Sequence, residues 1–242
     1  MKHVEGSLFA WCIPGILFFL TLSFPKQVFA QSESSVASPP SQSLPDPLTT
    51  IDFDHFEIGP VPKEFTPLLS GLGKDVSWEI RTDPSALSGK NVLAQTSYEQ
   101  IDYRFPLLVY NNVTAKNVHV AVQFKPVSGK IEQVAGILVR FQDAENYYVV
   151  RAHALEDTVQ LSRVVKGARH VVTKESAHVE SGQWHSLEVT AKGDQFTIAF
   201  DGQVLFESHD DTFSIPGKIG LSTKSDGVTM FDDLQIRVLD QP

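Results

Sequence analysis

Apolar and polar side chains alternate with a two-residue period along most of the chain beyond residue 50. From Val118 to Phe124, every second residue is valine or phenylalanine, and the residues between them are polar or small. The same alternation recurs at residues 184–192, 195–201 and 228–239. Since successive side chains of a β-strand point to opposite faces, each segment predicts a strand with one buried face.

Short polar sequences that contain glycine separate these segments, for example Ser128-Gly129-Lys130 and Asp201-Gly202. Glycine adopts the backbone conformations of tight turns at little cost, and turns at this spacing leave little room for helix. About a dozen strands without helix form either a barrel or a two-sheet sandwich. Strand segments of about eight to ten residues favour a large sandwich, and we predict an all-β jelly roll with one convex and one concave sheet.

The strongest local signal is a long hairpin at residues 132–155. Two runs rich in valine, isoleucine and aromatic residues flank the turn-forming sequence Asp143-Ala144-Glu145-Asn146. If Gln142 pairs with Tyr147, antiparallel geometry divides the side chains between two faces. The predicted core face carries Ile137, Val139, Phe141, Tyr148, Val150 and Ala152. The opposite face carries Leu138, Arg140, Gln142, Tyr147, Val149, Arg151 and His153.

The first 30 residues have the layout of a secretory signal peptide. A short charged start precedes an apolar run from Leu8 to Phe24, and Val28-Phe29-Ala30 supplies a cleavage site. The alternative is an uncleaved membrane anchor, because the apolar run approaches the length that spans a bilayer. Cleavage removes Cys12, the single cysteine, and thereby excludes disulfide and cysteine-nucleophile chemistry. We expect a secreted or periplasmic protein with no stable membrane insertion after cleavage.

Serine and proline make up half of residues 31–50, which predicts a flexible linker because such a segment buries little apolar surface. The folded domain is expected at residues 51–242. The formal net charge is −9, and no lysine- or arginine-rich run is present to neutralise a phosphate backbone. Nucleic acid is therefore excluded as a partner.

Three segments carry a resemblance to a known superfamily. They are residues 132–167, GQWHSLEVTAKGDQFTIAFDGQVLFE and PGKIGLSTKSDGVTMFDDLQIRVL. These segments resemble the concanavalin A-like lectins and glucanases, and in particular exported bacterial domains of the laminin-G-like and family-16-hydrolase-like type, some known as 3-keto-disaccharide hydrolases. The resemblance covers residues 51–239. It implies a jelly-roll sandwich whose concave face binds saccharide.

The candidate ligand site joins polar side chains from neighbouring strands on that face. Planar side chains that hydrogen-bond to hydroxyl groups, together with an aromatic ring, are typical of sugar recognition. The predicted ligand-binding residues are Arg140, Gln142, Tyr147, Arg151, His153, His119 and Gln123. The alternative interpretation is an ordinary solvated sheet face, on which the arginines pair with acidic residues.

Catalysis has less support in the sequence. Retaining glycosidases need two carboxylates that flank the scissile bond, and the Glu-x-Asp-x-Glu strand motif of family-16 hydrolases does not occur in this chain. If the resemblance to keto-disaccharide hydrolases extends to activity, a general base is needed, and His153 or Glu156 is the candidate. Glu132 and Glu156 are otherwise expected to be solvated residues at strand ends.

No cofactor is predicted, although superfamily members often hold a structural calcium ion near the chain ends. Asp52 and Asp232 are the candidate ligands, with Asp54 and Asp233 beside them. The histidines lack the spacing of a zinc site.

Three functions therefore remain open. The chain is an exported carbohydrate-binding module, a hydrolase or lyase that acts on a keto-sugar or glycoside, or a non-catalytic module with a protein partner.

Overall fold

Antiparallel β-strands make up the part of the chain that the computed structural model describes, residues 48–239. No helix in this part is long and apolar enough to cross a membrane. The predicted signal peptide and most of the predicted linker lie outside the described residues. The strands are β1 (Leu48–Ile51), β2 (Gly59–Pro60), β3 (Phe65–Gly71), β4 (Trp78–Thr82), β5 (Asn91–Gln95), β6 (Arg104–Ala115), β7 (Val118–Ser128), β8 (Val134–Asp143), β9 (Asn146–His153), β10 (Thr158–Val165), β11 (Ala168–Ser176), β12 (His185–Lys192), β13 (Gln195–Phe200), β14 (Gln203–His209), β15 (Gly217–Ser222) and β16 (Val228–Val238).

Two sheets form a sandwich, which confirms the predicted all-β fold. The nine-stranded sheet has the order β14-β13-β12-β7-β16-β5-β4-β2, and β1 also pairs with β16. The seven-stranded sheet has the order β11-β10-β9-β8-β15-β6-β3. Strand β1 starts at Leu48, within the segment predicted as linker, because its backbone pairs with β16 from Leu48 opposite Arg237. The folded part therefore begins before residue 51.

The main hydrophobic core lies between the two sheets and follows the alternation of the sequence. On β7 the inward side chains run from Val118 to Phe124, as predicted, and all are buried. His185 also points inward, where its ring lies 5.2 Å from that of Phe200. Its Nδ1 contacts Asp201 and its Nε2 contacts the carbonyl oxygen of Glu180, so this buried histidine has partners for both nitrogens.

Strands β7 and β8 lie in different sheets, although they follow one another in sequence. The side chains of β7 that alternate with its core residues, including His119 and Gln123, therefore lie on the outer face of the nine-stranded sheet. The prediction that they share a face with the residues of β8 and β9 was wrong. The five residues between Ser128 and Val134 carry the chain from one sheet to the other.

A β-bulge at Arg140 interrupts the hairpin of β8 and β9. The register shifts between Val139 and Asp143, and Arg140 has a φ of 50°. Between the pairs Val139–Tyr148 and Asp143–Asn146, β8 has three residues where β9 has one. The alternation is interrupted there, so Phe141 joins Tyr147 in a hydrophobic cluster on the outer face and the Arg140 side chain turns toward the core. The predicted faces were therefore wrong for Arg140 and Phe141.

The buried guanidinium of Arg140 ties three loops together. It donates hydrogen bonds to the carbonyl oxygens of Lys116 (2.9 Å), Phe213 (3.0 Å) and Gly193 (2.6 Å). It also lies 5.2 Å from the ring centre of Phe196, a core residue. All of these partners belong to the protein itself, so Arg140 has a structural role and is not a ligand-binding residue.

We expect Arg140→Met to destabilise the fold. The change leaves three carbonyl oxygens without their donor, and each unsatisfied buried group costs about 1–3 kcal/mol, so the free energy of unfolding should fall by about 3 kcal/mol or more. Chemical denaturation followed by linear extrapolation measures this loss. The control is Arg81→Met, which changes an exposed arginine of β4. Equal stability of the Arg140 and Arg81 variants would contradict the structural role.

Candidate functional site

The outer face of the seven-stranded sheet carries a group of polar side chains from three strands. Antiparallel pairing places Arg151 of β9 beside Gln160 of β10 on one side and beside Gly136 of β8 on the other. Gly136 in turn pairs with Ser222 of β15. One step along the sheet, His153 pairs with Thr158. We refer to Arg151, His153, Thr158, Gln160 and Ser222 as the polar patch.

Gly136 allows two side chains of the polar patch to lie close to the backbone of β8. A Cβ atom at this position would lie 2.3 Å from the Ser222 Oγ and 3.2 Å from the Arg151 Cγ. Only glycine therefore lets both side chains keep their positions over β8.

Several buried polar atoms of the patch have no hydrogen-bond partner. They are Nε of Arg151, both ring nitrogens of His153, Oγ1 of Thr158 and Oγ of Ser222. Leaving a buried donor or acceptor without a partner costs about 1–3 kcal/mol per group. Native proteins rarely tolerate several such atoms together, and their concentration on one face is typical of a site that a ligand completes.

Glu132 and Glu156 lie at the end of the polar patch, next to His153. The His153 Nδ1 is 3.6 Å from the Glu132 Oε2, an ion-pair distance that is too long for a hydrogen bond. Glu132 is buried, which corrects the expectation that it is solvated, whereas Glu156 is exposed. Lys224 pairs with Glu132, and Lys174 pairs with Glu156 at 2.7 Å.

Asp226 positions the loop that carries Glu132. Its carboxylate accepts hydrogen bonds from the backbone N–H groups of Lys130 (2.8 Å), Ile131 (3.0 Å) and Glu132 (3.1 Å). Burial works to raise the pKa of Asp226, but these three N–H donors outweigh it and hold the pKa below its usual value. The loop between β7 and β8 is therefore held in place by a charged group.

Burial lowers the pKa of His153 below its ordinary value, and the positive charge of Arg151 adds to this effect, although Glu132 acts in the opposite direction. The imidazole is therefore neutral at pH 7. Burial also works to raise the pKa of Glu132, but its contacts with His153 and Lys224 outweigh that effect and lower the pKa. A neutral base thus lies beside an ionised carboxylate.

Glu132, His153 and Glu156 are also the described residues with a geometry that could hold a metal ion, since their ligand atoms lie within 4.8 Å of one another. Lys224 and Lys174 already neutralise the two carboxylates, and a divalent cation would have to displace them. We therefore propose no metal at this position.

The two predicted calcium ligands lie in separate hydrogen-bond networks. Asp232 is fully buried and accepts hydrogen bonds from the backbone N–H groups of Leu87 (3.0 Å) and Ser88 (3.1 Å). Asp52 accepts from the backbone N–H of Asp54 at 3.2 Å and contacts His55. Because protein donors occupy these oxygens, both aspartates have a structural explanation, and calcium binding by them stays a prediction.

An aromatic region adjoins the polar patch on the same face. Phe105 of β6 lies between two guanidinium groups, with the Arg169 Cζ 3.2 Å and the Arg151 Cζ 5.9 Å from its ring centre. Arg169 is held by hydrogen bonds to the hydroxyl groups of Tyr147 (2.8 Å) and Ser70 (3.0 Å). The Phe105 ring is itself buried, with 4% of the residue exposed.

The structure brings together only some of the predicted site residues. Arg151, His153 and the catalytic candidate Glu156 lie near the carboxyl end of β9, whereas Tyr147 lies on the same sheet face near the start of that strand. Arg140 faces the core, and Gln142 lies at the hairpin turn, where its side-chain amide donates to the carbonyl oxygens of Arg140 and Pro216 at 3.1 Å each. His119 lies on the other sheet, where its ring contacts the Thr190 hydroxyl at 3.0 Å.

Six residues of the site were not predicted. They are Phe105, Glu132, Thr158, Gln160, Arg169 and Ser222. Gln160 was accessible to sequence reasoning, because Thr158, Gln160 and Ser162 alternate with Val159 and Leu161. Ser222 and Arg169 come from strands distant in sequence, and no local pattern links them to Arg151.

Proteins of known structure share this fold. A carbohydrate-binding module of Bacillus subtilis, CBM66, superposes with a TM-score of 0.59 at 18% identity, over 72% of this chain and 95% of the module. A β-glucanase of Bacillus licheniformis superposes with a TM-score of 0.54 at 9% identity, over 80% of this chain and 98% of the glucanase. The described part of the chain therefore has a jelly-roll sandwich fold of the concanavalin A-like type.

Comparison of the sequence with protein-family models shows the family to which the chain belongs. Residues 77–237 match the model of the 3-keto-alpha-glucoside-1,2-lyase-like domain, and the chain belongs to this family. The chain is also 30% identical over 81 residues to the levanase of Bacillus subtilis (strain 168), a segment that covers 34% of this chain and 12% of the levanase. The match thus spans a small part of that relative's length. Together these comparisons place the chain among carbohydrate-related proteins.

We expect the free energy of unfolding to fall as the pH is lowered from 7 toward 5. The pKa of His153 is below about 6.5 in the folded chain and near that value in the unfolded chain. Between the two values the unfolded chain binds more protons, so stability is complete above about pH 6.5 and is lost as the pH falls through the folded-state pKa. Denaturation curves recorded at several pH values measure this slope.

The slope should be smaller in His153→Gln, which cannot take up the proton. His55→Gln is the matched control, because this histidine side chain is 86% exposed. If His153→Gln and the parent chain show the same pH dependence, the buried imidazole does not control acid stability.

Proposed function

We propose that the domain binds a saccharide on the outer face of the seven-stranded sheet, centred on the polar patch. The observation that carries this proposal is the group of unpartnered buried atoms on Arg151, His153, Thr158 and Ser222. Sugar hydroxyl groups both donate and accept hydrogen bonds, so a single ring supplies partners for donors such as a guanidinium and for acceptors such as a neutral imidazole nitrogen.

The surroundings of the polar patch also favour a sugar. The Arg151 guanidinium lies over the Phe105 ring, and planar and aromatic groups of this kind are typical of sugar sites. The family name refers to a glucoside, and two similar proteins are a carbohydrate-binding module and a levanase. These names support the ligand class, and the polar patch supports its location.

A glycan array tests this proposal. We expect selective binding by the purified chain and at least about tenfold weaker binding by an Arg151→Ala, His153→Ala double variant, because hydrogen bonds to charged groups contribute about 1.5–3 kcal/mol each. The matched control is a His119→Ala, Gln123→Ala double variant, which changes two polar residues on the outer face of the other sheet. This control should bind like the parent chain.

Two results would contradict the proposed location. Loss of binding in the His119 and Gln123 variant alone would move the site to the nine-stranded sheet. Absence of binding by a folded parent chain would argue against carbohydrate recognition and in favour of a protein partner.

A second candidate function is eliminative cleavage of a 3-keto glucoside, and the arrangement of Glu132, His153 and Glu156 favours it. The C2 hydrogen of such a sugar is acidic because it lies next to the C3 carbonyl group. A neutral His153 can accept this proton, and the electron pair of the C–H bond forms an enediolate, to whose oxygen the Thr158 hydroxyl can donate. The electrons then return to form a C1–C2 double bond while the C1–O bond breaks, and the departing oxygen takes up a proton from water.

Turnover of a synthetic 3-keto glucoside tests the second candidate. The products are a free alcohol and an unsaturated ketone, which absorbs in the ultraviolet. If the domain is a lyase, His153→Gln should lower kcat by about 100-fold or more, the usual contribution of a general base. His178→Gln, a change at an exposed histidine, serves as the control. Binding of the keto sugar without product would leave the domain as a binding module.

A further inference from the structure

The two arginines beside Phe105 lack any acidic partner among the described residues. The guanidinium of Arg151 makes no hydrogen bond or ion pair there, although the residue is only 7% exposed. Arg169 donates only to uncharged oxygen atoms, such as the hydroxyl groups of Tyr103 and Tyr147. Two positive charges therefore lie close together without a counter-ion.

Two other arginines of the described residues are fully buried, and both have oxygen partners. Arg104 pairs with Glu99 at 2.9 Å. Arg140 has no carboxylate but donates to three backbone carbonyl oxygens. Among the buried arginines of this part of the chain, Arg151 therefore stands apart because it has no hydrogen-bond partner.

The surroundings of Arg151 disfavour its charged form. Burial, reinforced by the charge of Arg169, lowers the pKa of Arg151 to about 10. The group is still protonated at pH 7, and a buried charge without a partner is strongly unfavourable. The carboxylates of Glu132 and Glu156 act on Arg151 only at longer range.

We infer that the saccharide bound at the polar patch carries an anionic group, namely a carboxylate as in a uronic acid, and that Arg151 binds it. This inference rests on the proposed function and names the class of sugar. The free Nε and a terminal nitrogen of a guanidinium lie in one plane and bind the two oxygens of a carboxylate side by side. The hydroxyl groups of Ser222 and Thr158 remain for the neutral part of the ring.

Arg169 acts as a positioning residue in this arrangement. It stacks on Phe105 and is fixed by four neutral oxygen atoms, those of Tyr103, Gly167, Ser70 and Tyr147. Its charge adds to the positive potential at Arg151, and its side chain keeps the aromatic ring in place.

Isothermal titration calorimetry with two probes that differ only at C6 tests the inference. Methyl α-D-glucuronide carries the carboxylate, and methyl α-D-glucoside carries a hydroxymethyl group. We expect the chain to bind the glucuronide about tenfold or more tightly than the glucoside. Added salt should lower the affinity for the glucuronide and leave the affinity for the glucoside unchanged. D-Glucose 6-sulfate is the third probe, and tighter binding of the sulfate would overturn the assignment of a carboxylate.

Variants of Arg151 separate a ligand-binding role from a structural role. Arg151→Met should abolish the preference for the glucuronide and should melt at the same temperature as the ligand-free parent or higher, because it removes an unpaired buried charge. Arg151→Lys should keep part of the preference but lose the two-point contact. Arg81→Met, on the other sheet, should change neither property.

A lower melting temperature of Arg151→Met together with an unchanged preference for the glucuronide would overturn the inference. Equal affinity of the parent chain for glucuronide and glucoside would also overturn it, but would leave saccharide binding intact. Failure to bind any sugar on the array would instead remove the proposed function itself.

Discussion

The packing of two sheets face to face is the constraint on which the rest of this structure depends. The inward side chains must be apolar and must interdigitate, so each strand sends its alternate residues outward. Because the core takes Tyr148, Val150 and Ala152 of β9, the positions of Tyr147, Arg151 and His153 on the outer face follow directly. The packing of the core thus places the side chains of the candidate site on the outer face. Their exact positions depend on how rigidly the strands of the seven-stranded sheet are paired.

The hairpin of β8 and β9 contains two buried arginines with opposite roles. Arg140 sits at a bulge and has carbonyl partners from three loops, so its charge stabilises the fold. Arg151 lies in regular strand and has no partner, so its charge costs stability. Burial alone therefore does not distinguish these two arginines, whereas their hydrogen-bond partners do.

The polar patch combines firmly held neighbours with buried polar atoms that have no hydrogen-bond partner. Asp226 holds the loop of Glu132, and Arg169 holds Phe105 and Tyr147, so the groups around the patch are fixed before any ligand arrives. The patch itself keeps several atoms without partners. In the saccharide site that we propose, the unpartnered atoms lower the stability of the free protein, and the fixed positions of the surrounding groups reduce the entropy lost when the ligand binds.

The sequence by itself determined the fold class, the hairpin at residues 132–155 and the core faces of most strands. These features follow from a local rule, the two-residue period of a strand, which needs no knowledge of neighbouring strands. It also supplied Arg151, His153 and Tyr147, because they alternate with core residues of one strand. The same stretch of sequence also contains Glu156, which was predicted as a candidate general base.

Only the tertiary structure decided which of the predicted residues meet. The Arg140 side chain at the bulge donates hydrogen bonds to backbone carbonyl oxygens of residues 116, 193 and 213. These residues are distant in sequence, so no local pattern predicts the bulge. Strands β7 and β8 belong to different sheets, and their adjacency in the sequence does not specify which strands pair. Ser222, Arg169 and Glu132 join Arg151 and His153 through contacts between distant segments, and such contacts exist only once both sheets have formed.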